Sequence, residues 1–276
     1  MKVERETISV KKSALFQVDA FTNKLFTGNQ AGVMILDAEM SEPIMQAIAN
    51  EMNLAETAFV SPCDGGFRIR YFTPTMEIPL CGHATLASAH IMYAEGIVAK
   101  NKEICFFANE EILRVTASDG SILMGFPRYG IEQIKCPESL PLALGTAVAE
   151  MYRCPETGWL LAYCASGTDL KSLQPDMSGL ARLVPRLLIV TVEDSAREFD
   201  FFVRCFAPNA GIPEDPVTGS AQCMLSTFWN RKLQKETFIS KQVSLRTGIL
   251  RTRIQGDRIV ISGQAQTVFK TELMFD

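Results

Sequence analysis

The chain has 276 residues, enough to bury a sizeable core and to form one large domain or two smaller ones, of which two is the expected arrangement. Apolar residues make up 47% and charged residues 21%, a globular mix that leaves no support for a disordered, collagenous or coiled-coil chain. A net charge of −4 and a pI near 5.4 give no broad positive field, and Arg251 and Arg253 alternate along an expected strand, so nucleic acid is not an expected partner.

The first expected element is a strand over Ala14 to Phe21, where apolar and polar residues alternate with period two. A Gly-Asn turn follows at Gly28. Ser41 opens a helix that runs to about Met52, with Ile44, Met45, Ile48 and Met52 at helical spacing. Thr57 to Ser61 and Phe67 to Phe72 read as strands paired through the Asp64-Gly65-Gly66 turn. From Gly82 to about Tyr93 the residues leave almost no polar face, which predicts a helix enclosed by sheet and ended at Gly96. Ile104 to Phe107, Ile112 to Ala117 and Ile122 to Phe126 read as strands, the last two joined at Asp119-Gly120.

The turn-rich stretch from Pro127 to Pro141 marks the expected boundary between halves at 1–127 and 128–276, with the last strand able to pack back on the first half. A short helix is expected over Leu142 to Met151, then strands at Trp159 to Cys164, Leu187 to Val192 and Phe199 to Phe206. A second enclosed helix from Gly219 to about Leu233 carries Ala221, Met224, Leu225, Phe228 and Trp229 on one stripe. The tail reads as hairpins through Thr247-Gly248, Gln255-Gly256-Asp257 and Ser262-Gly263.

The chain also resembles itself. Arg70, Phe72, Pro74, Ile78 and Pro79 recur as Arg204, Phe206, Pro208, Ile212 and Pro213, and after a three-residue insertion Cys81-Gly82-His83-Ala84 lies against Thr218-Gly219-Ser220-Ala221. Two such copies would set two helix starts facing each other across a cleft. A helix start offers unpaired N–H groups and the positive end of its dipole, and together they hold an anion such as a carboxylate. Glycine at each start lets a ligand approach the backbone.

Met1 to Lys12 lacks the apolar core of a signal peptide, and no stretch stays apolar long enough to suggest a membrane span, so a cytoplasmic address and no membrane partner are expected. Eight cysteines are scattered without a framework and read as free thiols. With no Cys-x-x-Cys and only two histidines, His83 and His90, no metal site is expected.

The strings Ala55-Glu56-Thr57-Ala58-Phe59, Phe72-Thr73-Pro74, Leu80-Cys81-Gly82-His83-Ala84-Thr85 and Gly211-Ile212-Pro213-Glu214-Asp215-Pro216-Val217-Thr218-Gly219-Ser220-Ala221 strongly resemble the PhzF-like isomerase family of phenazine biosynthesis. Gly28-Asn29-Gln30-Ala31-Gly32-Val33 and Gln242-Val243-Ser244-Leu245-Arg246 fall in the family's order. The resemblance implies an α+β, diaminopimelate-epimerase-like fold: two pseudo-symmetric halves, each a curved, mostly antiparallel sheet around a central helix. It implies a cofactor-free isomerase acting on a small carboxylate, and a homodimer. Carried over position by position, Glu56 matches the catalytic glutamate, His83 and Asp215 match polar groups of the same site, and Gly82, Gly219 and Ser220 match its substrate-binding helix starts. Two departures stand out: Gln222 where the family often has histidine, and Thr247 in a turn that often reads Arg-Gly-Gly.

Read on their own, Glu56 lies at an apolar strand start, where an unpaired carboxylate is costly, and an acid there can accept a carbon-bound proton and return it elsewhere. Asp215 before Pro216 reads as an acid partner or orienting group. Cys81 faces Thr218 in the repeat, so the two-thiol chemistry of an epimerase lacks its second thiol and Cys81 reads as a small buried residue. Glu77 and Glu214 read as solvated loop charges. A non-catalytic binding or scaffold protein, and an amino-acid epimerase or racemase, are the alternative functions.

Overall fold

A computed structural model describes residues 11–109, 111–210 and 212–275, which leaves Gly211 of the long motif outside the described residues. In chain order the strands are β1 Lys11–Ala20, β2 Asn29–Ile35, β3 Glu56–Cys63, β4 Gly66–Phe72, β5 Glu77–Ile78, β6 Ile104–Ala108, β7 Glu111–Ser118, β8 Ser121–Pro127 and β9 Glu132–Ile134. They continue with β10 Val148–Arg153, β11 Leu160–Cys164, β12 Leu188–Glu193, β13 Phe201–Ala207, β14 Ile212–Asp215, β15 Thr237–Gln242, β16 Gly248–Gln255, β17 Arg258–Gly263 and β18 Ala265–Phe275. The α-helices are α1 Glu42–Met52, α2 Gly82–Ala94, α3 Leu140–Leu144, α4 Met177–Leu183 and α5 Gln222–Leu233.

Each half repeats one pairing scheme. In the first, β1 lies between β18 and β2, β2 runs parallel to β3, β3 pairs antiparallel with β4, β4 runs parallel to β6, and β7 and β8 follow as antiparallel neighbours. The second half does the same with β9, β10, the parallel pair β11 and β12, then β13, its parallel neighbour β15, and β16 and β17. The β8–β17 pair joins the two curved sheets. Each half therefore borrows its outermost strand, β18 or β9, from the chain that follows the other half's last hairpin.

The central helices sit inside these sheets, as their composition requires. In α2 every residue except His90 and Ala94 is buried, and Thr85 and Ser88 satisfy their hydroxyls on the carbonyls of Cys81 and Ala84 one turn back. The buried stretch of α5 runs from Gln222 to Trp229, and the Trp229 ring stacks on Phe201 with centroids 4.9 Å apart.

Several expectations need correction. Regular helix in the second half begins at Gln222 rather than Gly219, because Gly219 to Ala221 form a tight turn whose carbonyls accept the i+3 N–H groups of Gln222, Cys223 and Met224. The helix expected over Leu142 to Met151 stops at Leu144, where Gly145 takes a left-handed φ of 79°, and the chain continues as β10. Ser262-Gly263 is not a hairpin turn: β17 pairs with β16 and β8, whereas β18 leaves for β1. Helix α4 was not foreseen, although Asp176 caps it through the Ser178 N–H.

The repeat holds with its insertion displaced. Tyr71 and Phe72 oppose Ile78 and Glu77, while Cys205 and Phe206 oppose Asp215 and Glu214, so the three extra residues lie in the turn around Pro208–Ala210 and Glu77 is equivalent to Glu214. Neither glutamate is a loop charge, since both lie on strands and pair with arginine; Glu77 is exposed as expected, and Glu214 is half-buried. Arg70 donates Nε and Nη2 to Glu77 (2.7 and 2.6 Å), and Arg204 donates the same pair of nitrogens to Glu214 (2.8 and 2.7 Å), each guanidinium lying over the Phe72 or Phe206 ring. The pairs differ in depth. Arg204 also donates Nη1 to the Leu170 and Leu173 carbonyls (2.9 and 2.8 Å) and is buried, whereas Arg70 adds only the exposed Glu42. Removing the buried guanidinium strands an acid and two carbonyls, so Arg204→Met should cost about 3–5 kcal/mol; Arg70→Met should cost about 0–1 kcal/mol. Urea denaturation of the two variants checks this, and equal losses would contradict it.

Candidate active site

Local backbone decides where each candidate stands. Glu56 is the first residue of β3, level with Ala31 on β2, and only 9% of its surface is exposed. Cys81, in extended conformation, precedes α2, so His83 occupies the first turn of that helix and is 4% exposed. Asp215 ends β14 in the second half, at the position equivalent to Ile78. The structure brings these residues together.

His83 Nε2 lies 3.0 Å from Glu56 Oε2, close enough to pair electrostatically, yet the ring N–H is not aligned on the oxygen and Glu56 Oε2 has no hydrogen-bond partner. The other ring nitrogen, Nδ1, lies 3.4 Å from Cys81 Sγ and 3.2 Å from Asn29 Nδ2. Asn29 donates that amide nitrogen to Asp215 Oδ1 (2.7 Å) and to the Val217 carbonyl (3.0 Å), and Thr218 donates its hydroxyl to Asp215 Oδ2 (2.6 Å). A chain of contacts thus runs from Glu56 in the first half to Asp215 in the second. Buried Gln242 clamps the second half's segment, donating Nε2 to the Asp215 carbonyl (2.5 Å) and accepting the Thr218 N–H (2.8 Å).

The two glycines lie in contact. A Cβ placed on Gly82 would stand 3.7 Å from Gly219 Cα and 3.7 Å from the Ser220 nitrogen, so the start of α2 and the turn leading into α5 meet backbone to backbone. The N–H groups of Gly82, His83, Gly219 and Ser220 donate no hydrogen bond among the described residues. Asp215 and Ser220 keep part of their surface exposed, which opens the cluster to solvent on that side.

Burial draws the His83 imidazole toward its neutral form, but the anionic forms of Cys81 and Glu56 more than offset this, and its pKa lies well above the ordinary value. Burial, then Glu56, pushes the Cys81 thiol up. In Asp215 burial outweighs the pull of His83, and its carboxyl is raised. The result is a carboxylate with an open oxygen, a neighbouring acid and unpaired N–H groups, the set needed to move a proton and hold an anion.

Asn29 and Gln242 were not foreseen as site residues, although both stand in strings that follow the family's order. The two departures have different consequences. The Thr247 turn acts through its main chain: the Thr247 carbonyl accepts the Gly28 N–H (2.8 Å), and Arg246, paired with buried Asp19 (2.7 Å), donates Nε to the Gly28 carbonyl, so the residue before Asn29 is braced. Gln222 is fully buried and neither atom of its amide has a hydrogen-bond partner. Glu56, Cys81 and His83 also present ligand atoms within 4.8 Å of one another.

Similarity to known proteins runs along almost the whole chain. Residues 18–271 match the PhzC-PhzF family of phenazine biosynthesis-like proteins. A protein of Halalkalibacterium halodurans named as an uncharacterized isomerase is 40% identical over 94% of this chain and 98% of its own. The crystal structure of a PhzF-family phenazine biosynthesis protein from Enterococcus faecalis superposes with a TM-score of 0.90 at 34% identity, covering 95% of this chain and 99% of that one. The fold extends further, to a hydroxyproline epimerase from Agrobacterium vitis with a TM-score of 0.63 at 11% identity, covering 96% of this chain and 93% of that one. With its doubled sheet, its paired glycine starts and this match from end to end, the chain belongs to the PhzF family of phenazine biosynthesis-like proteins.

Proposed function

We propose that the protein is a cofactor-independent isomerase that moves a proton between carbons of a small carboxylate, with Glu56 as the carrier. The observation that carries this reading is the buried Glu56 Oε2 without a hydrogen-bond partner, beside His83. An acid oxygen left free of hydrogen bonds beside an imidazole can take a proton. Glu56 takes a carbon-bound proton, and the electron pair left behind spreads into the adjacent acidifying group. His83 and the N–H groups of Gly82, Gly219 and Ser220 bear the developing negative charge. Glu56 then returns the proton to another carbon, so only hydrogen changes place and nothing is oxidised or reduced. Both Asp215 oxygens already accept hydrogen bonds, from Asn29 and Thr218, which favours an orienting role for it over that of a second base. Thr218 gives its hydroxyl to Asp215 rather than standing as a thiol's counterpart, and this argues against the two-thiol epimerase reading.

Glu56→Gln keeps the shape and removes the base. Incubated with a panel of small carboxylates in deuterated water, wild type should place deuterium on carbon, and the variant should do so about 10²–10⁴-fold more slowly. Calorimetric binding of the same carboxylate should change little. Near-normal exchange by a folded Glu56→Gln protein would remove Glu56 from the role.

The charge on His83 sets a second expectation. Glu56 on β3, Cys81 before α2 and, through Asn29, Asp215 on β14 face this ring, and its raised pKa keeps it cationic above the ordinary 6.5. A cation that helps bear transition-state charge is lost as pH rises through that raised pKa. The exchange rate should therefore hold through pH 6.5 and fall only on the alkaline side, with that limb gone in His83→Asn. A rate that drops as pH rises through 6.5 would contradict a cationic His83.

A further inference from the structure

The two arginines that alternate along β16 stand on one face of the sheet. Arg251 and Arg253 are exposed and lie about 7 Å apart along the strand, whereas Leu250, Thr252 and Ile254 point into the interior. Arg251 sits between Ile239 and Ser262, and Arg253 between Thr237 and Val260, so neither adjoining strand sets an acid beside them. Arg197 joins both arginines in the lining of one cavity of about 520 Å³. It belongs to a turn fixed by buried Asp194, whose carboxylate accepts the N–H groups of Ala196, Glu198 and Phe199 (2.9, 3.0 and 2.9 Å). In that turn Arg197 holds a left-handed φ of 58°, a conformation uncommon for a residue with a side chain.

Among the described residues no acid pairs with any of these three guanidiniums. Of the two acids in the lining, Asp200 is committed at both oxygens, to Lys235 Nζ (2.5 Å) and to the Ile239 N–H (2.8 Å), which leaves only exposed Glu198. Three cations against one free carboxylate repel one another, and a bound anion relieves that repulsion. The floor of the cavity is apolar, with Leu123, Ile239 and Val260 half-buried in it. Leu123 lies on β8 and pairs with Ser262 on β17, so this floor crosses the seam between the two halves. We propose that the cavity binds a small dianion with an apolar body, of the phosphate-ester class. Arg197, Arg251 and Arg253 grip the phosphate, for which a planar guanidinium fork is suited, and the apolar body lies on the floor. Helix α5 packs on the other face of β16, so this site is separate from the glycine junction and does not rest on the isomerase reading.

Phenyl phosphate and inorganic phosphate are the probes, each titrated calorimetrically into the full-length protein at low ionic strength. Phenyl phosphate should bind wild type, and more tightly than inorganic phosphate because its ring leaves water for the apolar floor. Arg251→Gln and Arg253→Gln should each weaken phenyl phosphate binding about 10–100-fold, the loss of one charge-assisted contact. Both side chains are exposed, so the variants should fold, which circular dichroism checks. Arg258→Gln removes the same charge from the same hairpin outside the cavity and should bind as wild type does. No binding to wild type would overturn the proposal, as would equal weakening in Arg258→Gln, which marks diffuse attraction only. Undiminished binding in Arg251→Gln and Arg253→Gln would place the anion elsewhere, at the glycine starts, and would overturn it too.

Discussion

The rest of the molecule depends on the contact between Gly82 and Gly219. Two helices enclosed by separate sheets bring their leading ends together here with glycine on both sides: a Cβ on Gly82 would meet the opposite backbone at ordinary contact distance, whereas one on Gly219 would stand 2.9 Å from the Phe21 ring. Everything that flanks the glycines is thereby gathered into one place. The first half supplies Cys81 and His83, the second supplies Thr218 and Ser220 at the equivalent positions, and the hairpins before them supply Ile78 and Asp215. The duplicated frame is symmetric and its chemistry is not. An acid and an imidazole stand on one side, a hydrogen-bonded aspartate on the other, and Asn29 spans them.

This asymmetry carries an energetic cost that the surrounding structure offsets. A buried carboxylate oxygen and the Asn29 amide oxygen both lack hydrogen-bond partners, an arrangement that costs stability. The offset comes from the sheets and from fully satisfied polar braces around the site. Gln242 holds the Asp215–Thr218 segment at both ends, and the Asp19–Arg246 pair holds the main chain that leads into Asn29. These braces make few contacts of their own with a reacting group. They fix where the reacting groups stand.

Much of this was legible in the residues because it rests on local pattern. The alternation in β1, the apolar surface all round α2, the Asp64-Gly65-Gly66 turn and the two glycine starts each declare themselves within a dozen residues, and Glu56 and His83 are named by the strings around them. What escaped depends on which strands and halves come together. That Ser262-Gly263 sends β18 across to β1 instead of folding it back is decided by sheet pairing. Glu77 and Glu214 looked like loop charges because the arginines that hold them lie on the neighbouring strand, and the repeat was read with its insertion after Pro213 instead of in the turn before β14. Asn29 and Gln242 are ordinary polar residues in sequence. Only the approach of the two halves gives Asn29 the Asp215 it holds, and only the pairing of β15 with β13 sets Gln242 beside Thr218.

The most direct test of the junction as a substrate site is a crystal structure of the protein with a small carboxylate bound. The carboxylate is expected within hydrogen-bond distance of the N–H groups of Gly82, His83, Gly219 or Ser220, with a carbon of the ligand facing Glu56 Oε2. A carboxylate bound away from both glycines, or one held at the junction with Glu56 turned away from its carbons, would contradict it.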